Sequence, residues 1–106
     1  MSATWDRIIQ LVAVGRARVS EHGYDELAAD GLFAADILRG APDAVLLEDY
    51  PDYPKGPCVL VLVATPHGPV HCVWGIPKGK EEPAVLVTAY RPDPLKWQDG
   101  FTRRKR

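Results

Sequence analysis

Proline cannot donate a backbone hydrogen bond to a β-ladder, so its positions bound where strands can run. In the second half of this chain prolines stand at nearly every candidate boundary. Pro51, Pro54 and Pro57 fill one gap, and Pro66 and Pro69 bracket His67–Gly68. Pro77 and Pro83 bracket a charged Lys-Gly-Lys-Glu-Glu loop, and Pro92 and Pro94 close the last segment. The stretches between them, 44–50, 58–64, 70–76 and 84–91, are rich in Val, Leu and aromatic residues and read as four strands. Their connections have hairpin lengths rather than crossover lengths, which predicts a four-stranded antiparallel meander. Val59-Leu60-Val61-Leu62-Val63 is apolar on both faces and is predicted to lie centrally in that sheet.

The first half has helical periodicity instead. Trp5, Ile8, Ile9 and Val12 fall at i, i+3, i+4 and i+7, so they form one stripe on a helix over about residues 2–15. Ser2 or Thr4 can cap its start, and Gly15 can end it. Residues 16–19 read as a short extended piece. Ser20 then caps a second helix over 21–30, with Tyr24, Leu27 and Ala28 on one face and Gly31 as its left-handed stop. A third short helix over 33–39 ends at Gly40-Ala41-Pro42, and residues 95–101 suit a short C-terminal helix. Helices followed by a meander define an α+β domain. In so small a domain the helices cover one sheet face, which leaves the other for polar residues to converge on.

Composition bounds what this domain can do. The 106 residues are 46% hydrophobic and 25% charged, which fits a single globular domain spanning 1–106. Two cysteines are too few for a disulfide scaffold, residues 1–15 lack the pattern of a signal peptide, and the longest apolar run is too short to span a bilayer. These features lead to the expectation of a cytoplasmic protein that is not membrane-bound. The net charge of −1 conceals an asymmetry: residues 91–106 carry six Arg or Lys against two acids, whereas residues 1–90 carry seven against twelve. A basic tail on an acidic body is either a local anion site or a solvated end.

Few residues offer chemistry. His22, at the start of the second helix, can act as a base or bond to its own turn. His71 lies within a strand, where it is either a packing residue or part of a site. Cys58, His67, His71 and Cys72 lie close in sequence, but adjacent strand residues point to opposite faces, so His71 and Cys72 cannot share a metal ion. No metal or other cofactor is expected. The stretch Thr88-Ala89-Tyr90-Arg91-Pro92-Asp93-Pro94, followed by Trp97 and Arg103-Arg104-Lys105-Arg106, combines a phenol, a guanidinium and an aromatic platform. That combination suits RNA, with Arg on phosphate and an aromatic ring under a base. It equally suits a packed sheet edge with a solvated tail. The acidic run Glu48-Asp49-Tyr50-Pro51-Asp52-Tyr53-Pro54 is a solvated turn, a partner for the tail, or a surface that repels nucleic acid.

Ser20-Glu21-His22, the Glu-Asp-Tyr-Pro run at 48–51, Gly68-Pro69-Val70-His71 and the 88–93 ending together resemble the bacterial domain of unknown function family 4258. That family looks like a branch of the RelE/ParE toxin superfamily, related in fold to the BrnT and HigB toxins. The resemblance covers about residues 16–106, with the first helix as an addition, and it implies a RelE-like fold. It further implies the toxin of a toxin–antitoxin pair, with a small antitoxin protein as partner and RNA or the ribosome as target. The implied activity is metal-independent RNA cleavage. His22, His71, Tyr90 and Arg91 match the family's motif positions, and Arg103 and Arg104 fit its basic end. In that reading a histidine, with Tyr90, takes the proton of a ribose 2′-hydroxyl, Arg91 and a tail arginine stabilise the phosphate, and Trp97 stacks a base. The acidic pI and the absence of lysine-rich first helices depart from the RelE pattern. The alternatives are a ParE-like inhibitor of a target protein and a non-cleaving binding module.

Overall fold

The computed structural model describes residues 2–105. The elements run α1 (Ala3–Ala13), β1 (Ala17–Val19), α2 (Glu21–Ala29), α3 (Ala34–Gly40), a 3₁₀ turn (Ala41–Asp43), β2 (Val45–Tyr50), β3 (Cys58–Thr65), β4 (Gly68–Gly75), β5 (Ala84–Tyr90), β6 (Trp97–Gln98) and β7 (Arg103–Arg104). The local signals act as their chemistry requires. The Ser2 hydroxyl accepts from the amide of Trp5 and the Ser20 hydroxyl from that of Gly23, so both helices begin on side-chain caps. Gly31 takes the left-handed conformation, φ 65°, directly after the α2 cap.

The domain is α+β, with three α-helices and a five-stranded mixed sheet in the order β1-β5-β4-β3-β2. This corrects the four-stranded antiparallel expectation. β2 to β5 do form the antiparallel meander, but the extended piece at 17–19 joins it as a fifth strand, parallel to β5. A three-residue strand has too little apolar pattern to announce its partner. β3 is interior, as its two-sided apolar run requires, although β4 occupies the middle. Pro69 stands inside a strand, as the second residue of β4 opposite Ala64, next to the turn that joins β3 to β4.

The expected C-terminal helix over 95–101 is replaced by a turn and a hairpin. The amides of Lys96 and Trp97 both bond the carbonyl of Asp93, and β6 then pairs antiparallel with β7. Asp99, Gly100 and Phe101 all have positive φ (53°, 67° and 68°), a backbone run incompatible with a right-handed helix.

One sheet face carries the core. Trp5, Ile8 and Leu11 of α1, Leu27 of α2 and Ile37 of α3 bury against Val59, Val61, Val63, Val70, Cys72, Trp74, Leu86 and Ala89. Tyr24, grouped with Leu27 on one face of α2 by its spacing, is 58% exposed, whereas Leu27 is buried. Instead Gly23 makes the close approach: a Cβ there would lie 2.8 Å from the Leu86 carbonyl oxygen, so α2 sits against β5 with room for no side chain. None of the described helices lies on the opposite sheet face.

Candidate functional site

Strand register lays out this open face in rows. Tyr50, Cys58, Gly75 and Val85 align across β2 to β5, with Arg18 of β1 opposite Val85. The next row is Glu48, Leu60, Val73 and Thr88, and the third is Val45, Leu62, His71 and Tyr90. The β6–β7 hairpin packs over the His71–Tyr90 end of the third row. The first two rows remain open and floor a cleft of about 630 Å³. Its apolar lining includes Leu60, Val73, Ile76, Val85 and Val87, and its charged lining is Arg18, Lys55, Arg104 and Glu48. Three cations therefore face one carboxylate.

Glu48 is the polar centre. Its carboxylate accepts two hydrogen bonds from the Arg104 guanidinium, at 2.7 and 3.1 Å, and one from the Tyr50 hydroxyl at 2.8 Å. The Arg104 bonds hold its pKa below the ordinary 4.5. The same carboxylate, as acceptor, pushes the Tyr50 phenol pKa up, so that hydroxyl stays a donor. Because the Arg104 side chain is 61% exposed, the pair is worth only about 0.5–1 kcal/mol to folding. Its geometry matters more than its stability.

Of the residues singled out in the sequence, His71, Tyr90, Trp97 and Arg104 come together. The Trp97 ring meets His71 edge-on at 4.4 Å, Tyr90 meets it at 5.7 Å, and the Arg104 guanidinium lies over Trp97 at 4.7 Å. His71 is fully buried. Its Nε2 lies 2.8 Å from the Phe101 carbonyl oxygen, which can only accept, so Nε2 carries the proton and Nδ1 is a bare, buried lone pair. Burial holds its pKa below 6.5. His71 thus anchors the hairpin and does not face the cleft. Tyr90 borders the cleft, with its phenol pKa raised by burial.

The others lie elsewhere. His22 is exposed on α2, 3.6 Å from Glu26. Arg91 is a structural tie: its amide donates to the Asp30 carboxylate at 3.0 Å and its guanidinium to the His67 carbonyl at 2.6 Å. Arg103 pairs with Asp99 across the hairpin turn at 3.1 Å. Cys72 is buried in the core on the opposite face from His71, and its pKa is pushed up to about 12. Among the described residues no three His, Cys, Asp or Glu side chains converge on one point. No described helix is long and apolar enough to cross a membrane.

The profile of a domain of unknown function, DUF4258, matches residues 19–91, more than half of the chain. The chain belongs to this family. No curated protein and no solved structure matches it. The DUF4258 span holds Glu48, Tyr50 and Tyr90, whereas Trp97 and Arg104 come from the hairpin beyond it. Sequence reasoning left Glu48 among three alternatives, one of which was pairing with the tail. Strand register brings Arg18 and Tyr50 onto one face, and the loop between β2 and β3 brings Lys55 to the same cleft; none of the three carries a site signal in the sequence.

Proposed function

We propose that the chain is a RelE/ParE-like toxin of a bacterial toxin–antitoxin pair, a metal-independent endoribonuclease restrained by a small antitoxin protein. The observation that carries this reading is the Glu48 carboxylate, set between a guanidinium and a phenol at a cleft rimmed with further cations. In the reaction the ribose 2′-oxygen gives its proton to Glu48 and bonds to the adjacent phosphorus. The bond from phosphorus to the 5′-oxygen breaks, and the Tyr90 or Tyr50 phenol protonates that oxygen. The products are a 2′,3′-cyclic phosphate and a 5′-hydroxyl; the Glu48 proton returns to the phenol through water. Arg104 neutralises charge on the phosphate oxygens, a contribution of about 3 kcal/mol in comparable sites.

A carboxylate with a depressed pKa is a weak base. The substrate corrects this: a phosphate that takes hydrogen bonds from Arg104 removes the main cause of the depression, and Glu48 becomes more basic as the substrate seats. The base role therefore moves from the histidines to Glu48, since His71 is buried and His22 sits on the helix layer. The apolar floor also favours a second reading, a non-cleaving module that docks a protein partner on the same face.

The test is single-stranded RNA incubated with purified protein in the presence of a chelator, with end mapping, beside induced growth of a bacterial host. Wild type is expected to leave cyclic phosphate ends and arrest growth. Glu48→Gln is expected to lose about 10²- to 10⁴-fold in cleavage rate and to relieve the arrest. Intact RNA with soluble wild-type protein would overturn the nuclease reading and leave the docking module.

A further inference from the structure

We propose that the first row of the open face is a nucleobase subsite for single-stranded RNA, separate from Glu48 and from Arg104, which would hold the phosphate. The inference rests on the nuclease reading and adds to it the part of the substrate that the cleft grips. The row lies two strand residues from Glu48, roughly 7 Å by strand rise. Its centre is Gly75, which contributes no side chain; a Cβ there would lie 3.3 Å from the Pro57 carbonyl oxygen, 3.5 Å from Cys58 Cβ and 3.8 Å from a Val87 methyl. Backbone and small apolar groups thus leave a shallow bed with a flat floor rather than a deep hole.

Two exposed phenol rings, Tyr50 at 47% and Tyr53 at 51%, border this bed. Large aromatic surface left in water beside an apolar floor suits a planar π-system, because stacking gains from both faces. The charge decides what the planar group is attached to. Arg18 and Lys55 line the cleft, and among the described residues neither side chain has an ion-pair partner. An occupant with a flat apolar body and a separate negative charge complements both features, and a nucleotide has both. The cleft volume falls within the roughly 300–1,000 Å³ typical of small-molecule sites, which is more than a phosphate alone requires.

The experiment measures binding of a short RNA, 2′-O-methylated throughout so that no cleavage can occur, by fluorescence anisotropy. An abasic nucleotide is moved through the RNA one position at a time. One position is expected to cost roughly tenfold or more in affinity, with small losses elsewhere. Val87→Glu, at a 38% exposed position outside the Glu48–Arg104 pair, should abolish that position dependence, and Tyr53→Ala should weaken it. If every abasic position costs the same while RNA still binds, the subsite is wrong and the nuclease reading stands. If one position is sensitive in wild type and stays equally sensitive in both variants, the base sits elsewhere and the subsite is again wrong. If no RNA binds, both fail together.

Discussion

Trp97→Ala tests the contact that closes one end of the cleft. Trp97 is 6% exposed, and its ring is the main apolar surface that the hairpin presents to His71. A buried tryptophan removes about 150–250 Å² from water. At about 25 cal/mol per Å² that sets an upper bound of roughly 4–6 kcal/mol. The hairpin is short and can reseat, so part of this loss relaxes; the expected cost is about 3 kcal/mol, near the low end for Trp→Ala substitutions. In a domain of this size that lowers Tm by roughly 10–20 °C. Urea denaturation gives the free energy, and an NMR titration of the His71 ring gives the mechanism. Burial is the first cause of its lowered pKa, so opening the lid should move that pKa up toward 6.5. A loss below about 1 kcal/mol with an unmoved His71 titration would show that the hairpin does not depend on this ring.

Acid should loosen the fold in two stages. His71 and Glu48 both have folded pKa values below their ordinary 6.5 and 4.5. Each therefore contributes stability that is complete above its ordinary pKa and is lost as pH falls toward the folded value. Urea midpoints of wild type should drop below about pH 6.5 and again below about pH 4.5, and His71→Phe should remove the first drop while keeping the second. Gly23→Ala offers a test of sign. Helix propensity alone predicts a gain of about 1 kcal/mol, but the new Cβ would stand 2.8 Å from the Leu86 carbonyl oxygen and 3.0 Å from a Val19 methyl. A net loss of about 1–3 kcal/mol is expected by thermal denaturation, and a gain would refute the close approach of α2 to β5.

What the sequence made legible was local. Ser2, Ser20 and Gly31 act within one turn of themselves, so their roles follow from residue type and neighbours. The prolines located the four meander strands to within about two residues for the same reason. The parallel pairing of β1 with β5 was not legible, because it joins residues more than sixty positions apart through only three rungs. Neither was the C-terminal hairpin. Its 95–101 segment has enough apolar residues to imitate a helix, and what selects the hairpin is a tertiary contact, Trp97 against His71. The candidate site was half legible. The types and clustering of Tyr90, Trp97 and Arg104 single them out in the sequence, and the structure gathers them around His71. Arg91 lies apart from them, because a guanidinium at a strand exit looks the same in sequence whether it faces a ligand or, as here, ties the carbonyls of Asp30 and His67.

The charge asymmetry along the chain has a different meaning once the contacts are placed. A tail of net positive charge on an acidic body suggests that the tail is where an anion binds. Yet Arg104 is paired with Glu48 and Arg103 with Asp99, and the Arg91 guanidinium is held on the backbone carbonyls of Asp30 and His67, so the tail's arginines at 91, 103 and 104 are engaged inside the molecule. The cations at the cleft without ion-pair partners among the described residues, Arg18 and Lys55, come from the acidic body instead. An anion reaching the cleft thus meets two free charges and must compete with a carboxylate for the third. Two or three phosphate contacts give a shallow dependence on salt. For such a site the greater share of affinity has to come from what lies on the apolar floor, and in the nuclease reading proposed above that would place selectivity with the nucleobase rather than with the phosphate backbone.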